Sequence, residues 1–346
     1  MTGTVPLLEL TRGNIVESVH FGALAVMDAC GSLVASYGNP DLVTFMRSSA
    51  KPFQALPFIE AEGDVHFKLT PREVAIMCAS HSGTDEHFNV VSGIQKKVKL
   101  KESELLCGTH WPMDEATEHA MRARGETPTP NRHNCSGKHT GFLSHAALRG
   151  FSHEDYINLE HPLQKIILQT IAEMSDMKPE AIEMGVDGCS APVHAMPLRN
   201  AALAYARLAD PSNLAPARAA ACQRITSAMM ANGDMVGGPG RFDTMLMAAL
   251  SGRVTAKGGA EGFQGMAIMP GALGAGSPGL GVAIKISDGD LKGRAIPAVA
   301  LEVLRQLGVL SEADLQALAD FGPRKPVLNW RKLVVGEMRP IFSLEN

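Results

Sequence analysis

The sequence has few of the features that mark membrane, exported or nucleic-acid-binding proteins. Its longest apolar runs are broken by charge, Gly or Pro well short of the roughly 20 residues that a membrane span requires. The start, MTGTVPLLELTRGN, lacks a basic segment followed by an apolar one, so we expect no signal peptide. The 32 Lys and Arg against 36 Asp and Glu give a formal charge of −4, without the basic excess typical of nucleic-acid binding. We therefore expect a cytoplasmic protein with no nucleic-acid or membrane partner.

Disulfide frameworks and zinc knuckles are also not indicated. No two cysteines have CxxC spacing, and their scattered positions suggest no disulfide pattern. Aromatic residues make up only 5% of the chain, whereas Gly (34) and Met (18) are plentiful, which predicts close packing at small residues and flexible thioethers in the core. The chain has six cysteines, most of which should be reduced and buried: Cys30, Cys78, Cys107, Cys135, Cys189 and Cys222.

What the chain does contain is a division into strands at both ends and helices in the middle. Short apolar runs separated by Gly and Asn-Pro turns make residues 1–46 and 253–346 the sheet-forming parts, the second with two helices of its own. Helical periodicity dominates residues 47–252. We find no internal repeat and no linker long enough to separate two domains. The sequence therefore predicts one α+β domain over 1–346, with an antiparallel sheet of N- and C-terminal strands packed with central helices.

The predicted start of the first central helix, RSSAKPFQAL, could carry chemistry. Ser48 and Lys51 are three positions apart, a spacing that places both on one helix face. Pro52 is tolerated in a first helical turn. A neutral lysine beside a hydroxyl can act as its general base. A capped helix with a solvated lysine explains the same residues, so this motif alone does not decide.

Two further segments complete a known pattern. ASHSG places Ser80 in a loop before a helix, and TAKGG places Lys257 on a predicted strand followed by two glycines. An SxxK motif, a second serine in a loop and a strand Lys-x-Gly form the three-part pattern of serine β-lactamases and penicillin-binding proteins. A helix cap for Ser80 and a hairpin lysine for Lys257 are the alternative interpretations.

Two look-alike segments, NCSGKHTGF and VDGCSAP, suggest a metal site. Cys135 and Lys138 lie one turn apart in the first segment and Cys189 lies in the second, so two thiolates and a deprotonated amine could hold zinc. Two buried cysteines without metal remain the alternative. His139, next to Lys138, is better placed to face a substrate. Other histidines could replace the lysine as ligand: His110, His133 and His145.

Six segments in order resemble the Rhizobium etli-type (class 3) L-asparaginases: LTRGNIVESVHFGALAVMD, RSSAKPFQALPFIE, ASHSG, NCSGKHTGFL, VDGCSAP and ANGDMVGGPGRFDT. The resemblance spans residues 11 to about 285. It implies a serine β-lactamase-like fold, a homodimer and hydrolysis of L-asparagine to L-aspartate and ammonia. It also implies two Ser–Lys pairs, Ser48–Lys51 and Ser80–Lys257. A zinc site of the family's type would use Cys135, Lys138 and Cys189.

The charges near these motifs suit such a substrate. Arg47 can bind the α-carboxylate with its planar fork, and Asp187 can bind the α-ammonium. We expect Ser48 to be the nucleophile and Lys51 its base, with Ser80 and Lys257 assisting, although the motifs leave open which serine attacks. The alternatives are another SxxK amidase or esterase, and a non-catalytic metal-binding protein.

Overall fold

The computed structural model describes residues 2–345. Its strands are β1 (Val5–Arg12), β2 (Ile15–Asp28), β3 (Leu33–Tyr37), β4 (Val43–Phe45), β5 (Glu183–Val186), β6 (Pro192–Pro197), β7 (Val254–Gly259), β8 (Phe263–Ile268), β9 (Leu280–Ile286), β10 (Lys325–Leu328) and β11 (Val334–Pro340). Its α-helices are α1 (Lys51–Glu60), α2 (Gly63–His66), α3 (Pro71–Met77), α4 (Asp85–Val98), α5 (Glu115–Ala123), α6 (Ser136–Arg149), α7 (Pro162–Ser175), α8 (Leu198–Ala209), α9 (Pro216–Ala231), α10 (Gly233–Val236), α11 (Phe242–Ala249), α12 (Ala295–Gln306) and α13 (Glu312–Ala317).

The described chain divides into two compact units. The sheet unit comprises residues 2–49, 196–210 and 249–345, and the helical unit comprises residues 50–195 and 211–248. Among the helices of residues 2–345, none combines the length and the apolar character needed to cross a membrane.

The sheet unit is built on one antiparallel sheet that joins the two ends of the chain. Its strands follow the order β10-β11-β1-β2-β9-β8-β7, and β3 also pairs with β2. The central contact is β2 against β9, with Ala25 opposite Ala283. Their inward side chains are fully buried, as expected for apolar, β-branched runs in the middle of a sheet. The predicted α+β class, with N- and C-terminal strands in one antiparallel sheet, is confirmed.

A helix from the middle of the sequence packs directly on this sheet. The Ala-rich α8 contacts β2, β8 and β9, while α12 contacts strands that include β1 and β9. A Cβ atom built on Gly281 of β9 would lie 1.9 Å from the backbone oxygen of Ala202. The helix backbone therefore rests on the strand backbone, and only glycine permits that approach.

The helical unit consists of α1–α7 and α9–α11 with one β-hairpin. Thr70 and Thr84 cap α3 and α4 with side-chain hydrogen bonds at their N-termini. The packed core includes α1 against α7 and α9, and α3 against α6 and α9. Strands β5 and β6 form an antiparallel hairpin that closes with Val186 opposite Pro192. Its connecting turn carries two of the predicted site residues.

Candidate active site

The helical unit contains a buried lysine that is hydrogen-bonded to a serine. Lys51, the first residue of α1, is 1% exposed, and its Nζ atom lies 2.9 Å from Ser80 Oγ. Nζ also donates to the carbonyl oxygen of Ala79 at 2.5 Å. A buried lysine is costly to charge, and both of these contacts of Nζ are to uncharged groups. Such a residue is a candidate for proton transfer.

The loop that holds Ser80 is fixed by its backbone and neighbours. It follows the last turn of α3, and the Ser80 N–H donates to the carbonyl oxygen of Val236 at 3.0 Å. Ser82 Oγ donates to the carbonyl oxygen of Gly237 at 2.8 Å. Both serines are buried. The hydroxyl of Ser80 is therefore held against Lys51 by a loop with little freedom to move.

A close helix contact brings the N-terminus of α6 to this loop. A Cβ atom on Gly137 would lie 2.1 Å from the carbonyl oxygen of Ile76, so the glycine lets α6 touch the end of α3. His81 Nδ1 accepts from the Gly83 N–H, which places the imidazole proton on Nε2, 2.9 Å from Ser136 Oγ. Burial keeps the pKa of His81 well below its ordinary value, so the ring is neutral.

Cys135, Lys138 and Cys189 meet at the start of α6. Lys138 Nζ donates to Cys189 Sγ at 2.9 Å, and all three side chains are buried. A hydrogen bond from Cys189, with the positive charges of Lys51 and Lys138, holds the pKa of Cys135 well below its usual range despite burial. That same hydrogen bond and burial raise the pKa of Cys189. The pair therefore carries one thiolate, on Cys135, where a helix N-terminus also favours negative charge.

The charge of Lys138 follows from that thiolate. Burial alone would lower the pKa of Lys138, but the negative charge of Cys135 and the hydrogen bond to Cys189 outweigh burial and raise it, with a further contribution from Asp187. Asp187 and Cys189 both lie in the turn between β5 and β6, where the Asp187 N–H donates to the carbonyl oxygen of Ala191. The hairpin thus brings one carboxylate and one thiol to α6.

The histidines that the sequence offers as substrate or metal ligands lie at different places in the helical unit. His139 is completely buried on α6, and the charges of Lys138, Cys135, His133 and Lys51 all influence its pKa, which burial lowers. His133 Nδ1 accepts from the Cys135 N–H and His110 Nε2 accepts from the Asn134 N–H, so these nitrogens are already engaged. His145 lies two turns further along α6 beside Phe58 and Arg149.

The sheet unit contains the other predicted catalytic residues. Residues 47–50 form a 3₁₀ turn in which Arg47 has a left-handed backbone (φ 50°). A non-glycine residue in that conformation is strained, which is common at functional sites. Ser48 is half-buried on this turn. Ser49, completely buried, donates from Oγ to the carbonyl oxygen of Lys257, and Ser49 O accepts from Tyr205 Oη at 2.7 Å.

Lys257 lies on the edge strand β7 and is 1% exposed. Its Nζ atom donates to the carbonyl oxygen of Gly258 at 2.6 Å. Sequence reasoning missed Lys285 on β9, a buried lysine whose pKa burial lowers and on which the charge of Arg47 also acts. Arg47 and Lys285 therefore supply two positive charges near the strained turn of residues 47–50, and such a pair suits a carboxylate ligand. The only sequence signal for Lys285 is a lysine in an otherwise apolar strand.

The residues of the cysteine cluster fit a soft or borderline cation. Two sulfur atoms and one nitrogen converge on one point, and one of the sulfurs is already a thiolate. Within residues 2–345 no group of three or more His, Cys, Asp and Glu side chains could hold a metal, so a metal here would need lysine as its third ligand. Metal binding would also require Lys138 to lose its proton.

The chain matches one protein family and is similar to several solved structures. Residues 8–340 match the family model of L-asparaginase II, and no curated protein matches the chain. Similar solved structures include a probable glutaminase from Bacillus subtilis (13% identity, 83% of this chain, 88% of that chain, TM-score 0.42). Another is a Bacillus glutaminase in the presence of 4.3 M NaCl (13% identity, 84% of this chain, 92% of that chain, TM-score 0.40). A third is Mglu in its native form (13% identity, 85% of this chain, 66% of that chain, TM-score 0.40).

The protein is an amidohydrolase that acts on a linear amide of a small molecule. The chain belongs to the L-asparaginase II family, because the family model covers nearly its whole length. The family predicted from the six sequence motifs is thereby confirmed.

Proposed function

We propose that the protein hydrolyses L-asparagine to L-aspartate and ammonia through serine–lysine catalysis. The observation that carries the mechanism is the contact between Lys51 Nζ and Ser80 Oγ in a buried site. In its neutral form, the amine can accept the hydroxyl proton and later return it to a leaving group. The family membership supports the substrate class.

The proposed reaction runs in two halves. A serine hydroxyl attacks the side-chain amide carbon while Lys51 takes its proton, and the tetrahedral intermediate releases ammonia after the amide nitrogen gains a proton. The resulting β-aspartyl ester is then attacked by water, and L-aspartate leaves. The SxxK spacing favours Ser48 as nucleophile, with Ser80 and Lys257 assisting proton transfer; the Lys51–Ser80 contact equally suits Ser80 as nucleophile.

The free amino acid needs one cation and one anion for its charged groups. We assign the α-carboxylate to Arg47, whose charge adds to that of Lys285 in the sheet unit. We assign the α-ammonium to Asp187, which is half-buried in the turn between β5 and β6. The predicted role of His139 is a hydrogen bond to the substrate.

The decisive experiment measures ammonia release by purified protein from L-asparagine, L-glutamine and simple amides. Hydrolysis of L-asparagine by wild type, with loss of about a thousandfold in kcat for Lys51→Met, is the expected result. Activity on esters or β-lactams but not on L-asparagine would assign the protein to another SxxK hydrolase. Activity that survives in Lys51→Met would remove lysine as the base.

A second measurement identifies the attacking serine. Rapid acid quenching during turnover, followed by peptide mass spectrometry, should find a β-aspartyl ester on the peptide containing Ser48. The ester on the peptide containing Ser80 would exchange the two roles. Ser48→Ala should lower kcat by at least about a thousandfold because a nucleophile and its base act as a unit.

We further propose that Cys135, Lys138 and Cys189 bind zinc. When bound, zinc would supply a positive charge that helps to hold the substrate or the fold. Purified wild-type protein should contain up to about one zinc per chain, and Cys135→Ala should contain none while remaining folded. Cys222→Ala is the matched control, since Cys222 is a buried cysteine of α9. Equal zinc in all three proteins would refute the ligand assignment.

We also propose that the protein is a homodimer and that it is located in the cytoplasm. Analytical ultracentrifugation should give about twice the mass of one chain, and a monomer at micromolar concentration would refute the homodimer. Cell fractionation of the tagged chain tests the location.

A further inference from the structure

His139 has one ring nitrogen bonded and one without a protein partner. Its Nδ1 atom lies 2.7 Å from the hydroxyl oxygen of Tyr156. Its Nε2 atom is buried and, among residues 2–345, has no hydrogen-bond partner. The ring itself is completely inaccessible. A buried polar atom in this state costs free energy, so it persists where a ligand satisfies it or where function requires it.

The surroundings of Tyr156 decide which nitrogen of His139 carries the proton. Tyr156 Oη accepts a hydrogen bond from the Leu106 N–H at 2.8 Å. The hydroxyl has a single proton of its own, and His139 Nδ1 is the described acceptor within reach of it. That proton therefore goes to Nδ1, and the imidazole proton must sit on Nε2. The opposite tautomer would leave the tyrosine proton without an acceptor.

Tyr156 is held firmly enough to impose this choice. It is completely buried, and its carbonyl oxygen accepts from Gln164 Nε2 at 2.7 Å. Its ring meets His139 edge-on, with centroids 5.6 Å apart, and lies 6.4 Å from Phe142. Neither ring can rotate freely in so closely packed a setting. The hydroxyl thus has a fixed direction.

We propose that Tyr156 is a positioning residue for substrate binding: it fixes His139 as the Nε2–H tautomer, and Nε2–H donates a hydrogen bond to an oxygen of the amino-acid amide. This inference rests on the proposed function. His139 lies on α6, whose first residue, Ser136, is hydrogen-bonded to His81 beside Ser80, so it lies in the same region as the Lys51–Ser80 pair. A histidine with a proton on Nε2 cannot offer that atom to a metal, so its role differs from that of the cysteine cluster.

The first test is spectroscopic and does not depend on turnover. ¹⁵N NMR of histidine-labelled wild type should show His139, assigned through His139→Gln, as neutral and protonated at Nε2. Addition of the product L-aspartate should shift the Nε2 proton signal. Tyr156→Phe keeps the ring and removes the hydroxyl, so the tautomer should become mixed. A proton on Nδ1 in wild type, or no response to L-aspartate, would overturn the proposal.

The second test is kinetic. Tyr156→Phe should raise KM for L-asparagine about fivefold to tenfold while kcat changes less than about twofold, the pattern expected when a binding contact common to ground and transition states is weakened. Tyr37→Phe, a tyrosine of β3 in the sheet unit, is the control and should match wild type. In the His139→Gln background, Tyr156→Phe should have no further effect on KM, whereas a purely structural role would add its cost there.

The substrate panel identifies the oxygen and separates the two proposals. If the KM increase disappears with β-alaninamide, which lacks the α-carboxylate, the acceptor is that carboxylate; if it persists, the acceptor is the amide carbonyl. An unchanged KM in Tyr156→Phe overturns the inference while wild-type asparaginase activity stands. Absence of that activity refutes the proposed function, and the response of Nε2 to L-aspartate then still decides the role of His139.

Discussion

The hydrogen bond between Lys51 and Ser80 leads to a prediction that distinguishes a role of Ser80 in proton transfer from a role in stabilising the fold. In Ser80→Ala, Lys51 loses the hydroxyl at 2.9 Å but keeps the carbonyl oxygen of Ala79. The backbone bond from Ser80 N–H to Val236 is unaffected. Stability should therefore fall by only about 1 kcal/mol, the typical net value of one hydrogen bond. If Ser80 takes part in proton transfer, kcat should fall about a hundredfold to a thousandfold.

Ser82→Ala is the matched control for this experiment. Ser82 lies in the same loop, is also buried, and donates from Oγ to the carbonyl oxygen of Gly237 at 2.8 Å. Its loss should cost about the same stability but change kcat only a few-fold.

The assay is steady-state ammonia release from L-asparagine, with the melting temperature of each variant measured in parallel. A Ser80→Ala protein as active as Ser82→Ala would show that the bond to Lys51 only supports the loop. Equal, severe losses in both variants, in proportion to lost stability, would lead to the same conclusion. Only a large drop in kcat confined to Ser80→Ala supports proton transfer.

Three further predictions concern the fold and its dependence on pH. Gly281→Ala should destabilise the protein by about 3 kcal/mol or more in urea unfolding, because its Cβ would overlap the backbone of α8, and a normal midpoint would contradict the packing. Gly93→Ala, inside α4, should instead stabilise by about 0.5–1 kcal/mol, because its Cβ would make only an ordinary contact, 3.7 Å from Glu73 Oε1. Burial lowers the pKa of His145 and of His194 to about 4, whereas each titrates near 6.5 when unfolded. Stability should be complete above about pH 6.5 and fall toward pH 4 by up to about 3 kcal/mol per histidine, less in His145→Gln; a flat profile would refute the burial argument.

The sequence predicted the strands and helices well because each has a strong local signal. The Pro residue in the first turn of α1 and the alternating strands of residues 2–46 both act within a few residues of the chain. The position of α8 has no such signal. Whether an Ala-rich helix packs on helices or on a sheet depends on distant glycines such as Gly281, whose role appears only when both backbones are in place.

In the candidate site, the sequence likewise predicts which residues are reactive but not which of them contact each other. Motifs and chain spacing pointed to Ser48, Lys51, Ser80 and Lys257 as reactive groups, and spacing naturally paired Ser48 with Lys51. The structure adds a bond between Lys51 and Ser80, which are 29 positions apart. That bond requires the loop after α3 to lie against the first residue of α1, a tertiary contact that no local pattern encodes.

Tyr156 marks the limit of what motifs can reveal. It lies in FSHEDYINLE, a polar loop segment with no catalytic signature, and it is one of only three tyrosines in the chain. Its role follows from its hydrogen bonds. The Tyr156 oxygen accepts from the Leu106 N–H, so the hydroxyl proton is donated to His139. A loop residue can therefore set the hydrogen-bonding role of a histidine on α6 without touching the substrate. This role depends on the relative positions of Leu106, Tyr156 and His139 in the folded chain, so the residue types alone do not predict it.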